Sequence, residues 1–437
     1  MEWWWTLALI LGGLLAILAT GLPVAFSFLV VNLIGAYCLW GGWSGLAQLV
    51  DSIYSSVTMF SLLPVALFVL MGELLLHSRL ALKAIDIVDS WLGRLPGRLS
   101  LVTLGAGTMF SCLSGSSMGT TAMLGSIMIP EMEKRGYKPA ISVGSCMSGG
   151  LAMIIPPSAL AVILASIAQV SVGKVLVGGL LPGLLLAGLY VLYIVGRCYL
   201  NPTIAPSYQP EPIPLSKKLV VSVKYLLPMS GVVFVVVGLI FLGVATPTES
   251  AAMGAMSVVI LCAAYRRLTY EVLKKSVVGT LKIAVMMFAI LTGSLAFSQL
   301  LAYTGATSGL VEFVSGLPLH SIFLMIAMQL VLLVLGTFME QISIMMITLP
   351  IFMPLVKALG INEVLFVIIM LVNLEVAMKT PPFGFLLFVM RGVAPEKVTM
   401  GDIIRSTIPF VIIDMVAIAL MMAFPVIVLL LPEHIMH

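Results

Sequence analysis

The sequence predicts an all-α polytopic membrane protein built from two inverted-topology repeats. Each repeat is a re-entrant helical hairpin followed by a helix broken at a proline pair. Three observations carry this: composition, the placement of basic residues, and a repeated pattern of breaks. Of 437 residues, 61% are hydrophobic and 9% charged, against about 25% charged in soluble proteins. Mean hydropathy is +1.19. A soluble globule could neither bury that much apolar surface nor stay dissolved with so little charge. A spanning helix takes roughly 20 residues, leaving room for about ten to twelve segments. The net charge of +4 is small and the basic residues are dispersed, so no nucleic-acid surface is expected.

Apolar stretches long enough to span fall at about 3–20, 22–41, 58–76, 141–168, 176–199, 219–244, 249–265, 283–303, 363–390 and 406–431. Two more, about 100–129 and 321–357, are interrupted near their middles by small polar residues. Trp3, Trp4 and Trp5 beside Glu2 read as an interfacial anchor for the first helix, without the basic lead of a signal peptide. The five cysteines (Cys38, Cys112, Cys146, Cys198, Cys262) show no metal or disulfide spacing and read as packing residues.

Five connectors, 77–99, 131–138, 197–224, 265–282 and 391–405, hold 19 of the 22 lysines and arginines; only Lys174, Lys357 and Lys379 lie elsewhere. Positive charge stays on the cytoplasmic side, so these connectors are expected there. The stretch 100–129 starts and ends beside cytoplasmic connectors and must therefore enter and return. By the same logic 321–357 is a hairpin entering from outside, and both termini face outward. Irregular backbone at membrane depth is tolerated only where it lines a cavity or is buried in protein, so the two tips are expected to meet at a central site. Two basic connectors, 80–98 and 265–280, are amphipathic enough to lie in the membrane plane or to pack as ordinary loop helices.

The breaks repeat. Ser114-Gly115-Ser116-Ser117 is followed by Ile129-Pro130 and then Pro156-Pro157; Thr337 to Ser343 is followed by Leu349-Pro350 and then Thr380-Pro381-Pro382. Ser116 to Pro156 and Gln341 to Pro381 are both 40 residues. Five crossings separate the hairpins, and an odd number inverts the second copy.

A proline pair removes two N–H donors and frees carbonyls of the preceding turn. Freed carbonyls beside hydroxyls form an all-oxygen cage suited to a hard cation such as sodium. One cage draws on Ser114, Ser116, Ser117, Gly149, Gly150, Met153 and Pro156; the other on Gly336, Thr337, Glu340, Ser343, Asn373, Met378 and Thr380. Half-helix N-termini at the tips and after the breaks present positive dipole ends to an anion, which nominates Ser158, Lys379, Pro382 and Gly384 for substrate. The plainer alternative is that Pro and Gly only kink packed helices.

Ionisable residues at membrane depth are functional suspects. Glu375 and Lys379, at i and i+4, are placed to pair with each other, or Lys379 meets the anion. Glu340 can ligate a cation or cap the tip. Glu73 and Asp414, near segment ends, are expected to reach water. There is no GxxxxGK[ST] for ATP hydrolysis. All four histidines (His77, His320, His434, His437) fall in connectors or the tail, no facing aspartate pair suits a protease, and no channel filter repeats. Ion-gradient-driven transport fits best, with no enzyme activity and no cofactor beyond the coupling ion.

The runs SGSSMGTTAMLGSIMIPEMEKRGY (114–137), GGLAMIIPPS (149–158), LPIFMPLVKALGI (349–361) and NLEVAMKTPPFG (373–384) resemble the large membrane subunit of tripartite ATP-independent periplasmic (TRAP) transporters over nearly the whole chain. The resemblance implies an elevator-type transporter of the bacterial inner membrane. It implies sodium-coupled import of an organic acid, carboxylate or sulfonate. It also implies two partners, a periplasmic binding protein and a small four-helix membrane subunit; the latter is expected as a separate chain, since this one starts at the large subunit's first helix. The family's sodium sites carry over to the two cages. The division expected is scaffold helices and an interfacial arm in 1–99, a transport part in 100–175, scaffold in 176–320, a second transport part in 321–403, and a C-terminal helix in 404–437. Leu386 stands where the family often has Asn, and Lys379 where it is usually uncharged; these departures imply a strongly acidic anion such as a sulfonate. A stand-alone sodium-coupled carrier or antiporter without a binding protein is the other class considered.

The charge pattern predicts that single cysteines at 131–138 and 391–405 react with an impermeant thiol reagent only from the cytoplasmic side, and those at 169–175 only from outside. Labelling at position 135 in intact cells would overturn the topology.

Overall fold

The computed structural model describes residues 2–59, 63–78, 80, 89, 91, 95–114, 117–148, 153–206 and 214–435. Among them the chain is helical, without strands. The first helices are α1 (Trp3–Ala19), α2 (Val24–Leu39), α3 (Trp43–Val57) and α4 (Leu63–Ser78). A hairpin follows, α5 (Arg98–Ser114) and α6 (Ser117–Lys134), then a broken pair, α7 (Pro139–Met147) and α8 (Ala159–Ile167). Next come α9 (Val172–Gly178), α10 (Leu180–Leu200), α11 (Leu215–Val221), α12 (Leu227–Phe241), α13 (Pro247–Ala264), α14 (Tyr270–Tyr303) and α15 (Ala306–Ser315), with a π-turn over Ser222–Leu226 between α11 and α12. The second hairpin is α16 (Ser321–Gly336) and α17 (Gln341–Ala358), followed by α18 (Glu363–Lys379) and α19 (Phe385–Val393), then α20 (Met400–Ala423) and α21 (Val426–Ile435).

Local chemistry fixes the ends. Thr246 and Glu249 cap each other's backbone at the start of α13, with Pro247 in its first turn, a capping box. Thr399 and Asp402 do the same for α20. Gly360 has φ 65°, and the Asn362 carboxamide accepts from the Val364 and Leu365 N–H groups to start α18.

The second stretch assigned as a hairpin is a helix–turn–helix unit, the first is the helix pair α5 and α6 on either side of residues outside the described set, and both assigned breaks separate helices. Among the described residues, six helices are long and apolar enough to cross a membrane, α17 among them, and four shorter apolar ones accompany them. Several expectations change. The connector 265–280 is not a separate in-plane helix: α14 runs unbroken for 34 residues, about 50 Å. The counterpart in 80–98 lies largely outside the described residues. The C-terminal stretch is two helices parted at Phe424-Pro425. Helices α3 and α15 were not anticipated, being short and rich in Ser, Gly and other polar residues. Trp4 and Trp5 are exposed as an anchor would be, but Trp3 packs on Gly309 and Phe313 of α15.

Helix α14 is the spine, packed by α2, α3, α4 and α17. The two hairpin units interlock. The outer half of each broken helix seats on the other unit: α19 lies on α6, and α8 on α17 and α18. Helix α7 lies along α20 because Gly144 leaves no side chain there; a methyl group would strike the Phe410 ring and come within 2.6 Å of the Ser406 carbonyl. Gly144→Val should therefore cost about 1–3 kcal/mol or more, read as a lowered melting temperature in detergent. An unchanged melting curve would show that the α7–α20 contact is looser than described.

Candidate functional site

The two breaks share one arithmetic. In a helix each carbonyl accepts from the N–H four residues on, or three in a tightened turn. For Met153 those positions are Pro156 and Pro157; for Met378 they are Pro381 and Pro382. Neither donor exists, and neither methionine carbonyl has a hydrogen-bond partner among the described residues. The neighbouring Ala377 carbonyl recovers a bond from the Thr380 N–H at 3.1 Å, and the Thr380 carbonyl accepts from Gly384 N–H at 3.2 Å. Thr380 Oγ1 donates back to the Val376 carbonyl at 2.7 Å. Both prolyl–prolyl bonds are cis.

At the first unit Ser114 ends α5 and Ser117 begins α6. Ser117 and Met153 are buried, and Ser158 caps α8 by accepting from Ala161 N–H at 3.1 Å. Ser116, Gly149 and Gly150 lie outside the described residues. At the second unit Gly336 ends α16, where any Cβ would collide with Ala377 of α18. The Thr337 hydroxyl donates to the Val334 carbonyl at 2.8 Å. Glu340 occupies the N-cap of α17 without forming a side-chain cap bond, its carboxylate lying near the Ile342 N–H. Ser343 is buried in the first turn of α17.

Asn373 sits about two turns inside α18, and its Nδ2 donates to the Gln329 backbone and side-chain oxygens at 2.6 and 2.9 Å. It ties α16 to α18.

The first residues of α17 and α6 both lie at Glu375. This buried carboxylate accepts from Gln341 Nε2, the first residue of α17, at 2.9 Å. The hydroxyl of Ser117, the first residue of α6, lies beside the same carboxylate. Glu375 thus belongs to the hairpin junction. Its expected salt bridge with Lys379 is replaced by another pairing. Lys379, 1% exposed, sets its ammonium 2.6 Å from Asp414 Oδ2 of α20 and donates to the Tyr190 hydroxyl of α10 at 3.0 Å. Tyr190 donates in turn to Asp414 Oδ1 at 2.5 Å, and Phe410 packs edge-on against its ring. Asp414 therefore does not reach water: it is buried midway along a 24-residue helix. Glu73 is only partly shielded and pairs with His77 at 3.1 Å.

The second break opens outward. Pro382 and Phe383 are exposed, and Phe383 packs 5.5 Å from the equally exposed Phe338 at the second hairpin tip. Gly384 is buried, and a methyl group there would come within 2.6 Å of the Met378 carbonyl. Leu386 is fully buried. Around the first break, Pro156, Pro157 and Ser158 are all buried.

Apolar helices long enough to cross a bilayer, with proline-pair breaks in two of the apolar stretches, are the architecture of a multi-pass membrane protein. The chain belongs to the DctM-component family of tripartite ATP-independent periplasmic transporters, whose model matches residues 11–427; it is the large membrane subunit. A Salmonella typhimurium protein called YgiK, itself described as uncharacterized, is 29% identical over 432 residues, covering 99% of this chain and 98% of its own. The C4-dicarboxylate TRAP transporter large permease protein DctM of Pseudomonas aeruginosa is 30% identical over 390 residues, 88% of this chain and 89% of that one. In fold the chain is similar to the YdaH transporter of Alcanivorax borkumensis, whose structure reveals an unusual topology. The TM-score is 0.61 at 13% identity, over 87% of this chain and 89% of that one.

Breaking a buried ion pair by removing one partner costs about 3–5 kcal/mol. Lys379→Met alone should therefore strand Asp414 and lower the melting temperature and yield, and Lys379→Met with Asp414→Leu should recover much of both. Lys379→Met with Glu375→Gln should not. Rescue by the Glu375 double variant rather than the Asp414 one would contradict the pairing.

Proposed function

We propose that this subunit imports a small organic anion with sodium, receiving the anion from a periplasmic binding protein and working with a small four-helix membrane subunit in the bacterial inner membrane. The pair of donor-less methionine carbonyls carries the reading. A carbonyl stripped of its donor in a low-dielectric interior costs free energy until something polar meets it. A hard cation with oxygen ligands is the natural partner. The first sodium sits among Met153, Pro156, Ser114, Ser116, Ser117, Gly149 and Gly150; the second among Met378, Thr380, Gly336, Thr337, Glu340 and Ser343. Asn373 supports the second from behind, through Gln329.

The anion sits between the half-helix starts that follow the breaks, at Ser158, Pro382 and Gly384, where the dipole ends of α8 and α19 favour negative charge. Lys379 already has a carboxylate of its own, so it acts by holding the end of α18 in place through Asp414 and Tyr190 rather than by touching substrate. That removes the main ground for a strongly acidic sulfonate, and the C4-dicarboxylate relative favours a carboxylate. The hairpins enter from opposite faces as inverted repeats and move with their broken helices against the scaffold around α14, the elevator motion. Both termini face the periplasm.

In proteoliposomes with the small subunit and the cognate binding protein, Thr380→Ala should raise the sodium concentration for half-maximal uptake several-fold, and Gly384→Ala should do so more strongly by pushing on the Met378 carbonyl. Wild-type sodium dependence in both variants, or uptake independent of sodium, would refute the coupling.

A further inference from the structure

A groove of about 800 Å³ runs between α2, α3 and α14, far in sequence from the hairpin tips and their breaks. Its walls are apolar, from Phe26, Leu29, Ile53, Val285, Met286 and Ala289, but one end is formed by Lys282. Lys282 is also a wall of a second basin, of about 520 Å³, with Lys274, Lys275, Glu271, His77 and Gly279. The two adjoin at this lysine: an apolar slot beside a basic mouth.

Charge in the mouth is unbalanced. Lys275 pairs with Glu271 at 2.7 Å, and His77 with Glu73 at 3.1 Å. Lys274 and Lys282 have no carboxylate partner among the described residues, and both are exposed. The slot has a defined depth too. From Lys282 to Thr292 along α14 is ten residues, about 15 Å, which is half of a hydrocarbon core about 30 Å thick. One leaflet's acyl chains match that depth with phosphate held at the lysines.

We propose that this groove is a binding site for an anionic phospholipid of the leaflet at the basic end of α14, the cytoplasmic leaflet by the charge rule. The acyl chains lie along α14 against α2 and α3, and the phosphate is held by Lys282 and Lys274. The proposal is independent of the sodium cages. It concerns the face of α14 turned away from the hairpins and needs only that the chain spans a bilayer. Because α2, α3 and α4 all pack on α14, such a lipid would brace the scaffold without touching the site.

The test uses the full-length chain co-purified with its small subunit, stripped of lipid in detergent, and titrated with phosphatidylglycerol or phosphatidylcholine under native mass spectrometry. Phosphatidylglycerol should be retained in preference to phosphatidylcholine. Lys274→Gln with Lys282→Gln should weaken its retention by more than tenfold, at about fivefold per lysine near an anionic headgroup. Met286→Trp, which fills the slot, should expel the lipid with the lysines intact. Equal retention of the two lipids, or wild-type retention in the lysine double variant, would overturn the proposal. Complete displacement by inorganic phosphate would reduce it to a free-anion site. Lipid binding to the isolated large subunit that vanishes in the complex would assign the groove to the small subunit instead. Gel filtration and melting curves of each variant separate loss of binding from loss of fold.

Discussion

Two prolines in a row inside a membrane helix are the constraint from which the rest of the architecture follows. They remove the donors that Met153 and Met378 would otherwise use, and lipid offers no water to replace them. The helix leading into each break is therefore backed by protein, with a hairpin brought against it. The second hairpin reaches α18 so closely that Gly336 meets Ala377 with no room for a side chain. The first pairs its second arm with α7. What looks like two separate irregularities, a break and a hairpin, is one unit in which each makes the other tolerable.

Around this unit the buried charges are arranged in two layers on one helix. Glu375 faces the hairpin tips, taking Gln341 from one and lying beside Ser117 of the other. Lys379, one turn on along the same side of the helix, meets Asp414 of α20 and Tyr190 of α10, which satisfy it. A lone buried ammonium would be prohibitive. Paired and hydrogen-bonded, it ties three helices at one point.

The architecture was legible because it rests on signals that survive in one dimension: hydropathy, the placement of lysine and arginine, and prolines at fixed offsets. The hairpins, the breaks and the family were all readable at that level. Short helices with mixed composition, α3 and α15, were not, since neither their length nor their polarity separates them from loops. The partner of Lys379 was missed for a different reason. An i,i+4 carboxylate is the nearest candidate in sequence, whereas Asp414 lies 35 residues on and Tyr190 189 residues back, and only packing brings them together. The signal available was an aspartate midway along an apolar helix with no water in reach.

The cross-seating of the two hairpin units has a consequence for how the chain is made. Gly125 on α6 leaves space that Val393 and Met390 of α19 fill, yet about 250 residues separate α6 from α19. At roughly 5–20 residues per second, synthesis leaves that face of α6 uncovered for roughly 12–50 s. During this interval the first hairpin sits in the membrane with its polar tip and its small-residue face lacking their permanent neighbours. The early half of the molecule is thus an unfinished object until the late half arrives, and whatever shelters it meanwhile, lipid or the insertion machinery, is a temporary substitute for a helix not yet translated.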